Sequence, residues 1–214
     1  RQLGPSFETL AYQVGDKLDR TVYERTRQLR FTAGLAPFRT AAAPLAAHTG
    51  APIVGCAPLM LQVAGPRSDE AFDPTYAPDR VLADGEAMRG TGWTLTAVAT
   101  PGHTSNHLCF ALREEATLFT GDHVMGWSTT VVPAPDGDLN DYLANLRRLL
   151  DRPETLYRPT HGPAITDPSR YVAALIDHRE MREGQIVDAL GAGPRGIESI
   201  VAELYADVDE KLHK

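Results

Sequence analysis

Cysteine is scarce: Cys56 and Cys109 are the only two in 214 residues. That is too few for a disulfide framework, so a reducing, cytoplasmic setting is expected. Long apolar runs are missing as well. None approaches the roughly 18 residues that suggest a membrane span, and no signal-peptide pattern opens the chain, so no membrane association is expected. Basic charge is in deficit, with 21 Lys/Arg against 28 Asp/Glu, a net charge of -7 and a pI near 5.5. This removes any global case for nucleic acid binding. A local case survives near the start, where Arg1, Lys17, Arg20, Arg25, Arg27, Arg30 and Arg39 outnumber Glu8, Asp16, Asp19 and Glu24. Internal repeats and low-complexity stretches are absent. What is present, 43% hydrophobic and 23% charged residues, is the composition of one ordinary globular domain with a small appendage.

Along the chain, residues 1–38 read as helical: 7–14 are amphipathic, 18–25 follow in a mixed polar register, and no chemical motif falls there. Thr40 is placed to cap a short Ala-rich helix over 41–48 that Gly50 stops. Residues 52–56 read as a short buried strand and 65–78 as a loop rich in Pro, Asp and Gly. Three strands are expected next, over 93–99, 107–112 and 117–120, each β-branched or apolar and bounded by Gly, Pro or charge. Asp138 is placed to cap a helix over 139–150 with Leu143, Leu146, Leu149 and Leu150 on one face. A short strand at 156–157 precedes a long helix that starts after Asp167-Pro168 and runs to Leu190, where Gly and Pro end it. A last helix over 197–205 carries Ile200, Val201 and Leu204. The pattern predicts an α/β domain over 39–166 followed by a helical domain over 167–214.

Three segments carry chemistry: Thr100-Pro101-Gly102-His103-Thr104, Phe119-Thr120-Gly121-Asp122-His123 and Pro159-Thr160-His161-Gly162-Pro163. Each sets a His or Asp directly after an apolar strand, beside a glycine that lets the backbone turn sharply. Strand ends hold imidazole or carboxylate rigidly at one sheet edge, where several can converge. Such N/O donors suit Zn2+, and also Fe or Mn. Each motif alone is more often a turn or capping residue than a ligand; three in this order read as a site.

These segments resemble the later metal-binding motifs of the metallo-β-lactamase superfamily. The run from Leu118 to Thr130, with His178-Arg179 and the segment Leu204 to Val208, is similar to its lactamase-beta-2-like branch. The resemblance spans residues 39–214. It implies an αββα sandwich, incomplete in its N-terminal half, with a small winged-helix-like C-terminal domain that 214 residues cut short. It further implies that His103 is a ligand of a first metal, that Asp122 bridges two metals at the catalytic centre, and that His161 completes the second site. Two zinc ions are expected in the complete protein, with a metal-bound water or hydroxide as nucleophile. No side-chain nucleophile is suggested, because Ser105 and Ser128 lack an Asp–His relay and both cysteines sit in apolar context. His123 follows the bridging Asp and points the other way in an extended backbone, which suits a structural or supporting role. Trp127 suits core packing, or stacking on a base or an acyl chain.

One family motif is missing. His-x-His-x-Asp-His belongs just before residue 39, yet Arg30 to Phe38 contain no His or Asp. Either a stretch is omitted between Phe38 and Arg39, which predicts a Cα separation far above about 3.8 Å there, or the motif is truly deleted. The site of His103, Asp122 and His161 then holds at most one ion. The expected function is a metal-dependent hydrolase of an ester, thioester or phosphodiester. The alternative is a degenerate, metal-free module that binds a partner or nucleic acid. The substrate expected is a small ester or thioester, or single-stranded RNA held by a groove of Arg147, Arg148, Arg158, Arg179 and Arg182. Solvated helix faces account for these arginines equally well. Ile200, Val201 and Leu204 suit a homodimer contact, a rim of the site, or packing within their own domain.

Overall fold

The computed structural model describes residues 43–59, 76–133, 135–191, 193 and 195–206. The helical expectation for 1–38, the Thr40 cap, the Phe38/Arg39 spacing and most of the 65–78 loop lie outside the described residues.

Helix α1 (Ala43–Thr49) ends at Gly50, whose φ of +70° lets its N–H reach the Ala46 carbonyl at 2.8 Å. The strand expected over 52–56 shortens to β1 (Val54–Gly55), which pairs in parallel with β2 (Arg80–Val81). The main sheet follows, in the order β3 (Ala87–Gly90), β4 (Trp93–Ala99), β5 (Leu108–Leu112), β6 (Thr117–Gly121) and β7 (Leu156–Pro159). Neither β2 nor β3 stands out in sequence, since Arg80-Val81 is exposed and Ala-Met-Arg-Gly has no β-branched residue. Pairing imposes β3: Thr91 and Gly92, the latter at φ +77°, fold it onto β4 with Gly90 opposite Trp93.

One core cluster gathers Leu95, Ala97, Leu108 and Phe110 of the sheet with Cys56 and Leu82. Each large apolar side chain buried there contributes about 1.5–3 kcal/mol. Helix α2 (Leu139–Leu150) begins as expected, with the Asp138 carboxylate accepting from the N–H groups of Asn140 and Asp141 at 2.7 and 3.0 Å. It buries Tyr142, Leu143, Leu146 and Leu149. Polar bonds seat it near the strand ends: Asn145 Nδ2 donates to the Pro101 carbonyl at 2.8 Å and Arg148 to the Ala99 carbonyl at 3.0 Å.

Strand direction decides what meets where. β4 and β6 both run antiparallel to β5, and β7 runs parallel to β6. The C-terminal ends of β4, β6 and β7 therefore share one sheet edge with the start of β5.

Helix α3 (Pro168–Gly191) opens on proline at its first turn. The chain divides into two compact units at Val172/Ala173, so α3 starts in one and continues in the other. In the second unit, α4 (Ile197–Leu204) buries Ile200, and Arg182 lies over the Tyr205 ring at 4.5 Å. Among the described residues this unit is helical, and no helix is long and apolar enough to cross a membrane.

Candidate active site

His103, Asp122 and His161 follow β4, β6 and β7, and the structure brings all three to the shared edge. Asp122 stands between the two imidazoles, with His103 Nε2 3.9 Å from Oδ2 and His161 Nε2 3.6 Å from Oδ1. Asp122 Oδ1 is buried with no hydrogen-bond partner among the described residues. A carbonyl only accepts, so His103 Nδ1–H donates to the Val131 carbonyl at 2.6 Å, which turns Nε2 toward the carboxylate.

The loops need their glycines. At Gly102, φ +141°, a Cβ would run into the Tyr142 backbone of α2. Gly126 and Gly162 pack backbone against backbone, and Gly126 N–H donates to the His161 carbonyl at 2.8 Å. This contact ties the loop after β6 to the loop after β7. Thr130 Oγ1–H donates to the Asp122 carbonyl.

Beneath this layer lie two buried histidines. His107, at the start of β5, accepts the Asp122 N–H at Nε2 (3.3 Å) and meets Thr100 Oγ1 through Nδ1 (2.7 Å). Burial, with His123 and His103 nearby, holds its pKa well below the ordinary imidazole value. His123 points inward, fully buried, its ring 4.9 Å from that of Tyr142 and 5.8 Å from that of His107. Neither of its nitrogens has a hydrogen-bond partner among the described residues, and burial lowers its pKa to about 3. The sequence motifs do not mark His107. Its signal is topological, because an antiparallel β5 must begin at the edge where β4 and β6 end.

Trp127 is not in the core. It is 57% exposed and stacks parallel to His161, the rings 6.2 Å apart with 5° between their planes. Val131 beside it in the same loop is also exposed. Ser105 is engaged with Asp136 through both its N–H and its hydroxyl at 2.7 Å, with no histidine relay. Arg148 bonds Ala99, Asn145 and Asp84, and Arg182 bonds Gln185 and Leu204, so these two arginines serve internal contacts.

The donor chemistry at the edge fits a divalent cation. Two imidazoles and one carboxylate form a three-ligand set like that of catalytic zinc sites, which keep a further position open, and the two measured pairs stand within about 0.6 Å of the roughly 3.3 Å between ligands of one tetrahedral ion. As the side chains stand, no group of three or more His, Cys, Asp or Glu among the described residues is arranged to hold a metal.

Known proteins resemble part of the chain. An atrochrysone carboxyl ACP thioesterase of Aspergillus fumigatus is 35% identical over 156 residues, covering 64% of this chain and 48% of that protein. A beta-lactamase-like protein 2 homolog of Caenorhabditis elegans is 40% identical over 107 residues, 50% of this chain and 35% of that one. The crystal structure of a metallo-beta-lactamase family protein from Thermus thermophilus superposes with a TM-score of 0.55 at 29% identity, covering 63% of this chain and 46% of that one. The chain thus spans about half the length, or less, of these relatives. The family profile of the metallo-beta-lactamase superfamily matches residues 39–161, which hold all three converging side chains, and the chain belongs to that superfamily.

Proposed function

We propose that this protein is a metal-dependent hydrolase of small thioesters or esters, with one zinc ion held by His103, Asp122 and His161. The observation that carries the reading is the convergence of two imidazoles on a carboxylate whose Oδ1 is buried and unpartnered. A buried acceptor left unmatched costs roughly 1–3 kcal/mol, more when charged, and a cation would remove that cost. Bound zinc supplies Lewis acidity that makes water nucleophilic near neutral pH. The chain's own groups do the positioning. Val131 orients His103 through its carbonyl, Thr130 holds the Asp122 carbonyl, and Gly126 holds the loop that carries His161. Hydrolysis adds water across the acyl–sulfur bond and yields a carboxylic acid and a thiol. The Aspergillus fumigatus relative, named as an ACP thioesterase, supports thioesters over phosphodiesters. So do the exposed Trp127 and Val131, which offer an apolar seat for an acyl group. Engaged arginines such as Arg148 weaken the case for an RNA groove.

The missing His-x-His-x-Asp-His motif favours one other reading, a metal-free binding module. Steady-state turnover of an acyl thioester by zinc-loaded protein separates the two. Asp122→Asn should lower kcat/KM by roughly a hundredfold, about 3 kcal/mol of transition-state stabilisation. Equal turnover by the variant would remove Asp122 from the chemistry. A folded protein that takes up no zinc and turns over no thioester would leave the binding module.

A further inference from the structure

We infer that His107 is a positioning residue that sets Asp122 through a polarised, buried chain of hydrogen bonds. The inference rests on the zinc site proposed above for its functional meaning, but its geometry stands on separate atoms. Follow the chain from its sulfur end. A carbonyl only accepts, so the contact between Cys109 Sγ and the Thr120 carbonyl, 3.4 Å, uses the one S–H of Cys109. The 3.2 Å contact between Thr100 Oγ1 and that sulfur must then be donated by the threonine. With its proton so used, Thr100 Oγ1 can only accept from His107 Nδ1, 2.7 Å away. His107 Nε2 is left as a lone pair.

Now start from the other end. A backbone N–H only donates, so the Asp122 N–H, 3.3 Å from His107 Nε2, requires that same lone pair. Both ends of the chain demand one tautomer, proton on Nδ1. The links are buried: His107 is 4% exposed, Thr100 1%, and Cys109 0%. Burial also pushes the Cys109 thiol up to about 12, which keeps its proton in place.

The peptide before Asp122 is shaped to the ring. Gly121 takes φ +54°, and a Cβ there would lie 2.7 Å from His107 Nε2. β6 shifts register between Phe119 and Gly121, at the point where the chain must turn over the imidazole. Asp122 is thus clasped on both backbone sides, its N–H on His107 and its carbonyl on Thr130. Its side chain is left free to face His103 and His161. His123, equally buried, has no such bonds among the described residues, so His107 and not His123 holds the Asp122 peptide.

Thr100→Val removes the hydroxyl at constant shape, whereas Thr100→Ser keeps it. Zinc affinity, read by competition with a chromogenic chelator, should fall by about 10-fold in Thr100→Val, the low end of the 10–100-fold cost of losing a ligand's direct partner, because Thr100 acts through His107. Thr100→Ser should stay within about threefold of the parent. Equal affinity in all three, or equal loss in both variants, would overturn the inference. A second readout needs neither zinc nor the variants. Nitrogen-15 NMR of metal-free protein should find His107 protonated at Nδ1 only; a proton on Nε2, or a rapidly averaging ring, would overturn it even if Thr100→Val fails to fold. If the parent protein takes up no zinc while His107 shows the single tautomer, the zinc proposal fails and the positioning of Asp122 stands.

Discussion

Gly121→Ala tests how tightly the site is built around His107. Two costs arise. A non-glycine residue in the left-handed region loses about 1–2 kcal/mol, partly offset by about 0.4–1 kcal/mol from the stiffer unfolded chain. The new methyl would also sit 2.7 Å from His107 Nε2, well inside ordinary contact distance. The ring cannot drift away cheaply, because it is buried and bonded at both nitrogens. Overpacking of this kind adds about 1–3 kcal/mol. The expected total is roughly 2–4 kcal/mol. Gly85→Ala is the control: its φ is +76°, but no atom lies within 4 Å of the added carbon, so only the net backbone cost of about 0.5–1 kcal/mol applies. Urea unfolding of both variants in metal-free protein gives the two numbers. Equal losses would show that the close approach of Gly121 to His107 costs nothing, and the reasoning would fail.

Two further outcomes follow from the same contacts. His123 is held neutral in the fold with a pKa of about 3, and His107 is depressed in the same sense, whereas the unfolded chain protonates both near pH 6.5. The stabilisation from His123 is full above pH 6.5 and drains as pH falls toward 3, at up to about 1.4 kcal/mol per pH unit, and His107 adds to the loss in the same direction. Urea midpoints of metal-free protein should therefore drop between pH 7 and pH 5, less steeply in His123→Leu; midpoints that hold constant would contradict the burial argument. Asp138→Ala should cost about 1 kcal/mol by removing the cap of α2. An unchanged midpoint would mean that solvent replaces the cap without loss.

Much of the site is legible in sequence because its residues follow apolar strands and sit beside glycines with a visible duty. Gly102, Gly121 and Gly162 all adopt positive φ, and each flanks one of the three converging side chains. Helix α2 is legible for a similar reason, since Asp138 and the leucine spacing act within a dozen residues. What sequence does not disclose is set by partners far along the chain. β3 is a strand only because β4 pairs with it, and β1 shrinks to the two residues that β2 can reach. His107 looks like the first residue of a strand until sheet direction places it under Asp122. Trp127 looks like a core residue, yet the Gly126–Gly162 contact fixes the loop so that its ring lies outside, against His161. The two helices expected after residue 167 form, at Pro168–Gly191 and Ile197–Leu204.

The most direct test of the central claim is a crystal structure of the protein grown with zinc, with anomalous scattering recorded at the zinc edge. One peak is expected, about 2.0–2.2 Å from His103 Nε2, His161 Nε2 and an Asp122 carboxylate oxygen. Density for the three side chains in place with no peak between them, or zinc bound only elsewhere, would contradict it.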